Sequence, residues 1–429
     1  MVDVWLPYGK TDVCVRVPAR NLLGSINPVQ KSSVSDSKAE IERALKEPIG
    51  ARRLSEIVKS ENKVVILVDD VACKNPNELM LLSVLSELNA AGVKDENVTV
   101  IFNCNTNGDI SVKPEEYVSL FGEEVFKRVK IVSHDAKAKD LVYVGTTKSY
   151  GNKVFLSPVF VEADVKILLS DVNMHYYAGY SGGRKSVMAG VCGIETIWHN
   201  SALMLSSNAK AGVLTGNPVH EDLTEVAHLA KVTFIVNIVT NSKGELVKVF
   251  AGDLEAAFLE AVKLVDEIYK VTVDRRADIV VVSAGGHPAD VTLSQAYMAL
   301  DNALDVVKRG GVIVLVAECS KGHGNQVFYD WMTRLTDLKS AEKELKRSFA
   351  MGGHKAYYLL KALQNHPIIL VSSLPDYYAT TVFKLKTARA INDALTEAFK
   401  TAGSASRVWT IPAGSYILPQ YTAPEEAKT

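Results

Sequence analysis

The sequence predicts an α/β protein of two domains, each built on a largely parallel sheet, the two facing a central cleft. Three observations carry this. At 429 residues the chain is too long for one ordinary core. Short β-branched apolar runs alternate with helical patterns along most of it, as crossover-connected parallel strands require. The alternation also stops and restarts around Val273-Asp274-Arg275-Arg276, which places a domain crossing there.

The elements follow in order. KVVILVDD (63–70), VTVIFNC (98–104), DVKILLSDV (164–172) and VTFIVNIVT (232–240) are apolar runs ending in polar residues, suited to strands buried on both faces. Between the first two lies PNELMLLSVLSELNAAG (76–92), a helix opened by Pro76 and stopped by Gly92. The second series has strands in ADIVVVSAGG (277–286), VIVLVAEC (312–319) and HPIILVSSLP (366–375), with a helix over SQAYMALDNALDVVKRGG (294–311). The expected division is a first domain over 1–272, a second over 273–403, and a C-terminal segment, 404–429, packing back on the first. The tail TAPEEAKT (422–429) reads as disordered.

Composition narrows the partners. Basic and acidic residues number 48 and 49, a net charge of -1, so no global field draws nucleic acid or an anionic membrane. The start, MVDVWLPYGKTDVCVRVP, has no apolar core of a signal peptide, and no apolar run approaches the ~18 residues of a membrane span. Five scattered cysteines without a C-x-x-C read as buried thiols rather than disulfides or a zinc site. A cytoplasmic protein taking a small molecule, assembled as a homodimer, is the expectation.

One stretch stands apart: HYYAGYSGGRKS (175–186), leaving the carboxyl end of the DVKILLSDV strand. In open α/β sheets ligands sit outside the carboxyl ends of strands. Gly179, Gly182 and Gly183 let backbone approach a ligand closely. Free amides beside Arg184 and Lys185, with the Ser181 hydroxyl, would form an anion nest. The spacing is not that of a phosphate-binding Walker loop. A glycine turn with two solvated cations fits the same letters, and spacing alone says nothing of chemistry.

The stretch, followed by AGVCGIETI, resembles the lactate racemase family of nickel-pincer nucleotide enzymes. Asp69-Asp70, VSHDAKAKDLVYVGTT (132–147), GVLTGNPVHEDL (212–223), GGHPADVTLSQA (285–296), GGVIVLVAECSKGHGN (310–325) and GGHKAYYLLKAL (352–363) agree in the family's order. The resemblance implies racemisation or epimerisation of a 2-hydroxy acid by hydride transfer to a pyridinium mononucleotide. Two thio-carbonyl arms of that cofactor hold nickel, and one is joined covalently to the lysine that is Lys185 here. It implies that Ser181, Gly182 and Gly183 cradle the nucleotide phosphate with Arg184 near it. It also implies that His175 is a general base, and that Asp70 is the second aspartate of the family's D-D-x-T-R-P motif.

Departures from the family fall in the site. Cys73 takes the arginine position of D-D-x-T-R-P, and Asn107 takes the position of the second histidine base. Ser201 replaces the histidine that binds nickel, Met298 a substrate-region lysine, and Ser294 a tyrosine. Asn107 cannot act as a base and Met298 cannot hold a carboxylate. His199 is the candidate replacement for the metal ligand. A two-residue offset on a helix turns a side chain by roughly 200°, which opposes that rescue. Polar Asn105, Asn107, Asp109, Ser294 and Gln295 suit a sugar acid, with Asn107 and Gln295 as substrate contacts. His287, His323 and His354 are candidate substitute bases. His134, His220, His228 and His366 read as structural, His220 as part of helix-entry charge beside Glu221 and Asp222. Two function classes stand side by side: an isomerase with an altered substrate, and a non-catalytic anion-binding homologue that has lost its metal.

Overall fold

The apolar runs become strands where expected. The computed structural model describes residues 1–68, 76–102, 118 and 121–423; Asp70, Cys73, Asn105, Asn107 and Asp109 lie outside them. Two compact units are formed, Gln30–Ile268 and Met1–Val29 with Tyr269–Thr429. In the first, the strands are Val64–Val68 (β1), Val98–Phe102 (β2), Lys130–Ser133 (β3), Val165–Asp171 (β4), Phe234–Thr240 (β5) and Leu246–Gly252 (β6). They pair in the order β6-β5-β4-β1-β2-β3, parallel throughout except for the antiparallel edge strand β6. Every residue of β1 is buried, as a central parallel strand requires.

Alternate residues face opposite layers. Val64, Ile66 and Val68 of β1, with Ile167 and Leu169 of β4, pack against Leu81, Val84 and Leu85 of the helix Asn77–Ala90 (α1). The other face carries Arg184–Val191 (α2), where Gly190 admits Leu67 so closely that a Cβ would stand 2.6 Å from Leu67 Cδ1. Ile194–Ala202 (α3) and Pro218–Leu229 (α4) pack against α2. Because β1 comes first in the chain, later strands extend from it in both directions. The order therefore reverses between β1 and β4, and the chain leaves β4 straight into residues 172–186.

The other unit repeats the arrangement. Ala277–Ser283 (β7), Val307–Val316 (β8), Ile368–Val371 (β9), Lys386–Ala388 (β10) and Val408–Ile411 (β11) form a fully parallel sheet in the order β10-β9-β8-β7-β11, completed by the N-terminal strand Leu22–Ser25. Its core joins Ile279, Val281, Val312 and Ile369 to Leu6 and Val15 of the N-terminal hairpin.

Two expectations are corrected here. Residues 1–29 group with 269–429 rather than with 30–268, and β11 lies between β7 and Leu22–Ser25, so residues from both ends of the chain build the second sheet. The helix expected over 294–311 stops earlier. Leu293–Ala303 (α5) ends before Val307, and VKRGG forms the exposed start of β8, with Val307 opposite Ala277. Two adjacent glycines disfavour helix enough for the sheet to take that stretch. Among the described residues, no helix is long and apolar enough to cross a membrane.

Candidate active site

The segment after β4 folds back as a two-residue hairpin, Met174 opposite Tyr180 and His175 opposite Gly179, before entering α2. The turn at 181–184 is held by internal bonds. The Ser181 amide donates to Asn173 O at 2.8 Å, and its hydroxyl accepts from the Asn173 amide at 2.9 Å. The Gly183 amide donates to Ser170 Oγ at 2.9 Å. Gly182 has φ 80°, and a Cβ there would stand 2.7 Å from Asp171 O. Gly183, capping α2, has φ 51° and ψ -117°, a conformation reserved for glycine.

These bonds change the roles expected of four residues. Ser181 and the Gly183 amide are spent on the turn itself, whereas the amides of Gly182 and Arg184 find no acceptor among the described residues. Arg184 does not face outward. It is 1% exposed, its guanidinium carbon lies 3.9 Å from the Phe258 ring centroid, and its Nε donates to His220 Nδ1 at 2.7 Å. Burial pulls its pKa down to about 9, leaving it charged at neutral pH, and holds His220 neutral with a pKa of about 3, Arg184 adding to the depression. Arg184 is therefore a buried support beneath the turn rather than a free cation at a phosphate. Lys185, one residue on, is half-buried, and its amine has neither hydrogen bond nor ion pair among the described residues. Entry into a helix turns neighbours apart by about 100°. One cation goes in and the other stays available.

His175 Nδ1 accepts from the Ala178 amide at 3.2 Å, and its ring stacks on Tyr176 with centroids 4.9 Å apart. A neutral imidazole so engaged carries its proton on Nε2. To take a proton at Nε2 the ring must first exchange tautomers and give up the turn bond.

The metal expectation fares differently. His199 lies on the exposed face of α3, with Nε2 against Tyr150 O at 2.8 Å. Ser201 is buried and hydrogen-bonded to Tyr177. The helical offset that separates 199 from 201 is present, so His199 does not substitute at the Ser201 position. Among the described residues, no three His, Cys, Asp or Glu side chains are grouped to hold a metal ion. Gln295 is exposed at the start of α5, where its carbonyl accepts from the Thr292 hydroxyl at 2.9 Å. Met298 is half-buried on the same helix.

The other histidines sort by their partners. His134 Nε2 meets Cys192 O at 2.8 Å, and His366 Nδ1 meets Gly311 O at 3.1 Å; both are structural. His354, at the start of Gly353–Asn365 (α6), is buried and pushed down to about 3, chiefly by desolvation, which removes it as a base near neutral pH. His323 stacks on Tyr329, with centroids 5.0 Å apart. His220, read from the sequence as helix-entry charge, instead accepts from Arg184, and nothing in its local sequence signals that tertiary partner.

Residues 8–212 match the model of the lactate racemase N-terminal domain, and 270–418 that of the lactate racemase C-terminal domain. The chain belongs to the lactate racemase family. It is 29% identical over 427 residues to lactate racemase of Thermoanaerobacterium thermosaccharolyticum, covering 97% of this chain and 99% of that one. Against lactate racemase of Lactiplantibacillus plantarum it is 28% identical over 433 residues, covering 97% and 100%. The structure of the lactate racemase apoprotein from T. thermosaccharolyticum superposes with TM-score 0.90 over 98% of this chain. A Thermotoga maritima protein shares the fold, at TM-score 0.64 and 18% identity. As a member of the lactate racemase family the chain is an isomerase.

Proposed function

We propose that this isomerase inverts the hydroxyl-bearing carbon of a 2-hydroxy acid, using a nickel-pincer mononucleotide tethered at Lys185. The observation that carries the reading is the turn itself: two amides and a lysine amine that have no partner among the described residues, at the start of α2. These groups fit the nucleotide part of the cofactor, an anion that must also be joined to an amine. The protein side of a nickel site does not fit equally well. Ser201 offers a hydroxyl where an imidazole suits nickel, and His199 faces solvent. When bound, the cofactor supplies a hydride acceptor. The chain's own part is to hold the anion on the Gly182 and Arg184 amides and to fix the tether at Lys185. His175 is proposed to handle the hydroxyl proton, its tautomer coupled to the Ala178 turn. Asp70 is proposed at the cofactor, with Asn107 and Gln295 as substrate contacts. Cys73 and Met298, where the family resemblance implies cations, favour an acid larger and more hydroxylated than lactate, such as a sugar acid.

The test is intact mass and nickel content of protein made in a host that synthesises the cofactor, with turnover of lactate and of sugar acids. A mass adduct on the wild type, absent from Lys185→Ala, is expected. Lys185→Ala should also weaken sulfate binding by about 1.5–3 kcal/mol, the worth of a charged hydrogen bond. An adduct that survives in Lys185→Ala overturns the tether, and lactate turnover well above that of every sugar acid overturns the substrate class.

A further inference from the structure

Asn237 sits in the middle of β5, fully buried, within the otherwise apolar FIVNIVT. Its neighbours Val236 and Ile238 face the α1 layer, so Asn237 faces the layer that holds α2. Its carbonyl oxygen accepts from Ser170 Oγ at 2.7 Å, and Ser170 Oγ in turn accepts from the Gly183 amide at 2.9 Å. This chain of bonds links β5 through β4 to the cap of α2. The amide nitrogen of Asn237 is the anomaly. It is buried and has no hydrogen-bond partner among the described residues. An orphaned buried donor costs on the order of 1–3 kcal/mol, yet an apolar residue would serve the strand without that cost.

The surroundings indicate what would satisfy it. Asn237 Nδ2 lies 3.7 Å from the point where a Gly183 Cβ would project, and Phe258 Cδ2 lies 3.5 Å from the same point. That leaves a space about one atom wide between the orphan donor and the turn. Phe258 also carries the Arg184 guanidinium, whose donors are taken up by His220 Nδ1, Gly182 O and Tyr180 O, so that it braces the turn rather than facing a ligand. Among the described residues, donors without acceptors thus gather at the turn: Asn237 Nδ2, the Gly182 and Arg184 amides and the Lys185 amine. Unpaired donors gathered at one turn call for an oxyanion.

We propose that Asn237 is part of the anion site, its buried amide donating to an oxygen of the bound group as the turn closes, while Ser170 only holds the turn. This rests on the anion-binding reading of the 182–185 turn and deepens it by assigning a donor from a different strand. An oxygen of a bound anion would complete the bond.

The test is calorimetric titration of the full chain with inorganic sulfate, which stays a dianion across the working pH range. Asn237→Leu is expected to weaken sulfate roughly tenfold, and Ser170→Ala by less than about threefold. Should Asn237→Leu fail to fold, Asn237→Asp keeps the bond from Ser170 and replaces the donor with a carboxylate. Its sulfate affinity should fall at least as far and recover as pH is lowered and that carboxyl gains a proton. Equal weakening in the Ser170 and Asn237 variants, or a pH-independent Asn237→Asp, would reduce Asn237 to a support of the turn and overturn the assignment. A wild type that does not bind sulfate overturns the anion-site reading as well, so the two failures are distinguishable.

Discussion

The two sheets of this molecule each reverse their strand order once and differ in what lies at that place. In the 30–268 unit the reversal falls between β1 and β4, in the other between β7 and β11. Both are positions at which open α/β sheets gather ligands. Past β4 the chain presents amides and a lysine amine without partners among the described residues. Past β7 and β11 it fills the crevice with itself. Gly414 donates to Ser283 O at 2.8 Å, Gly285 approaches the Tyr416 ring, and the Ser283 hydroxyl donates to Pro7 O. A Cβ on Gly414 would stand 2.4 Å from Val282 Cγ2. The fold supplies two equivalent crevices, and the local hydrogen-bond accounting decides which one is left with donors to offer.

Matched glycine substitutions test this difference most strongly. Gly182→Ala combines left-handed strain of about 1–2 kcal/mol with overpacking against Asp171 O of about 1–3 kcal/mol, and it should abolish sulfate binding. Gly414→Ala carries only overpacking, about 1–3 kcal/mol, and should leave sulfate binding intact. Thermal denaturation and titration of both variants read the contrast. Loss of binding in Gly414→Ala would break it.

Within the first unit, Arg184 and Lys185 make a smaller version of the same contrast. Arg184→Met leaves His220 Nδ1 without its donor, for a loss of about 1–3 kcal/mol in stability, while folded protein should bind sulfate at close to wild-type affinity. Denaturant titration with parallel calorimetry checks it. A stable Arg184→Met that binds no sulfate would return Arg184 to the ligand.

The mildest effect concerns pH. His354, with its folded pKa lowered to about 3, is neutral when buried and takes up a proton only on unfolding. Below the ordinary histidine value of about 6.5 the unfolded chain binds the extra proton. Stability therefore falls with falling pH, by up to about 1.4 kcal/mol per unit, until the folded pKa is reached. His354→Gln should flatten the stability curve of its unit between about pH 6 and 4. An unchanged slope would mean that His354 is already charged in the fold.

How much of this could be read from the letters depends on range. The five-residue apolar run of β1 and the glycine turn before Lys185 are local signals, and both were legible. The strand Leu22–Ser25 was not, because its partner β11 is almost four hundred residues away in the chain and only tertiary pairing defines it. Arg184 and Lys185 look alike in sequence; their separation depends on where α2 begins and on Phe258 lying below. His199 lies off the Ser201 position for a reason already contained in helical geometry. Asn237 has no local mark at all beyond being polar among apolar neighbours.

Gly183 carries a final consequence. Its φ of 51° and ψ of -117° are the mirror image of a conformation that ordinary residues adopt freely. Space is not what excludes a side chain, since a Cβ of natural handedness would meet nothing closer than 3.5 Å. The objection is purely one of chirality. A D-alanine introduced at 183 by semisynthesis should fit the backbone that L-alanine strains. In an isomerase, the turn before Lys185 is one the chain can make only with its achiral residue.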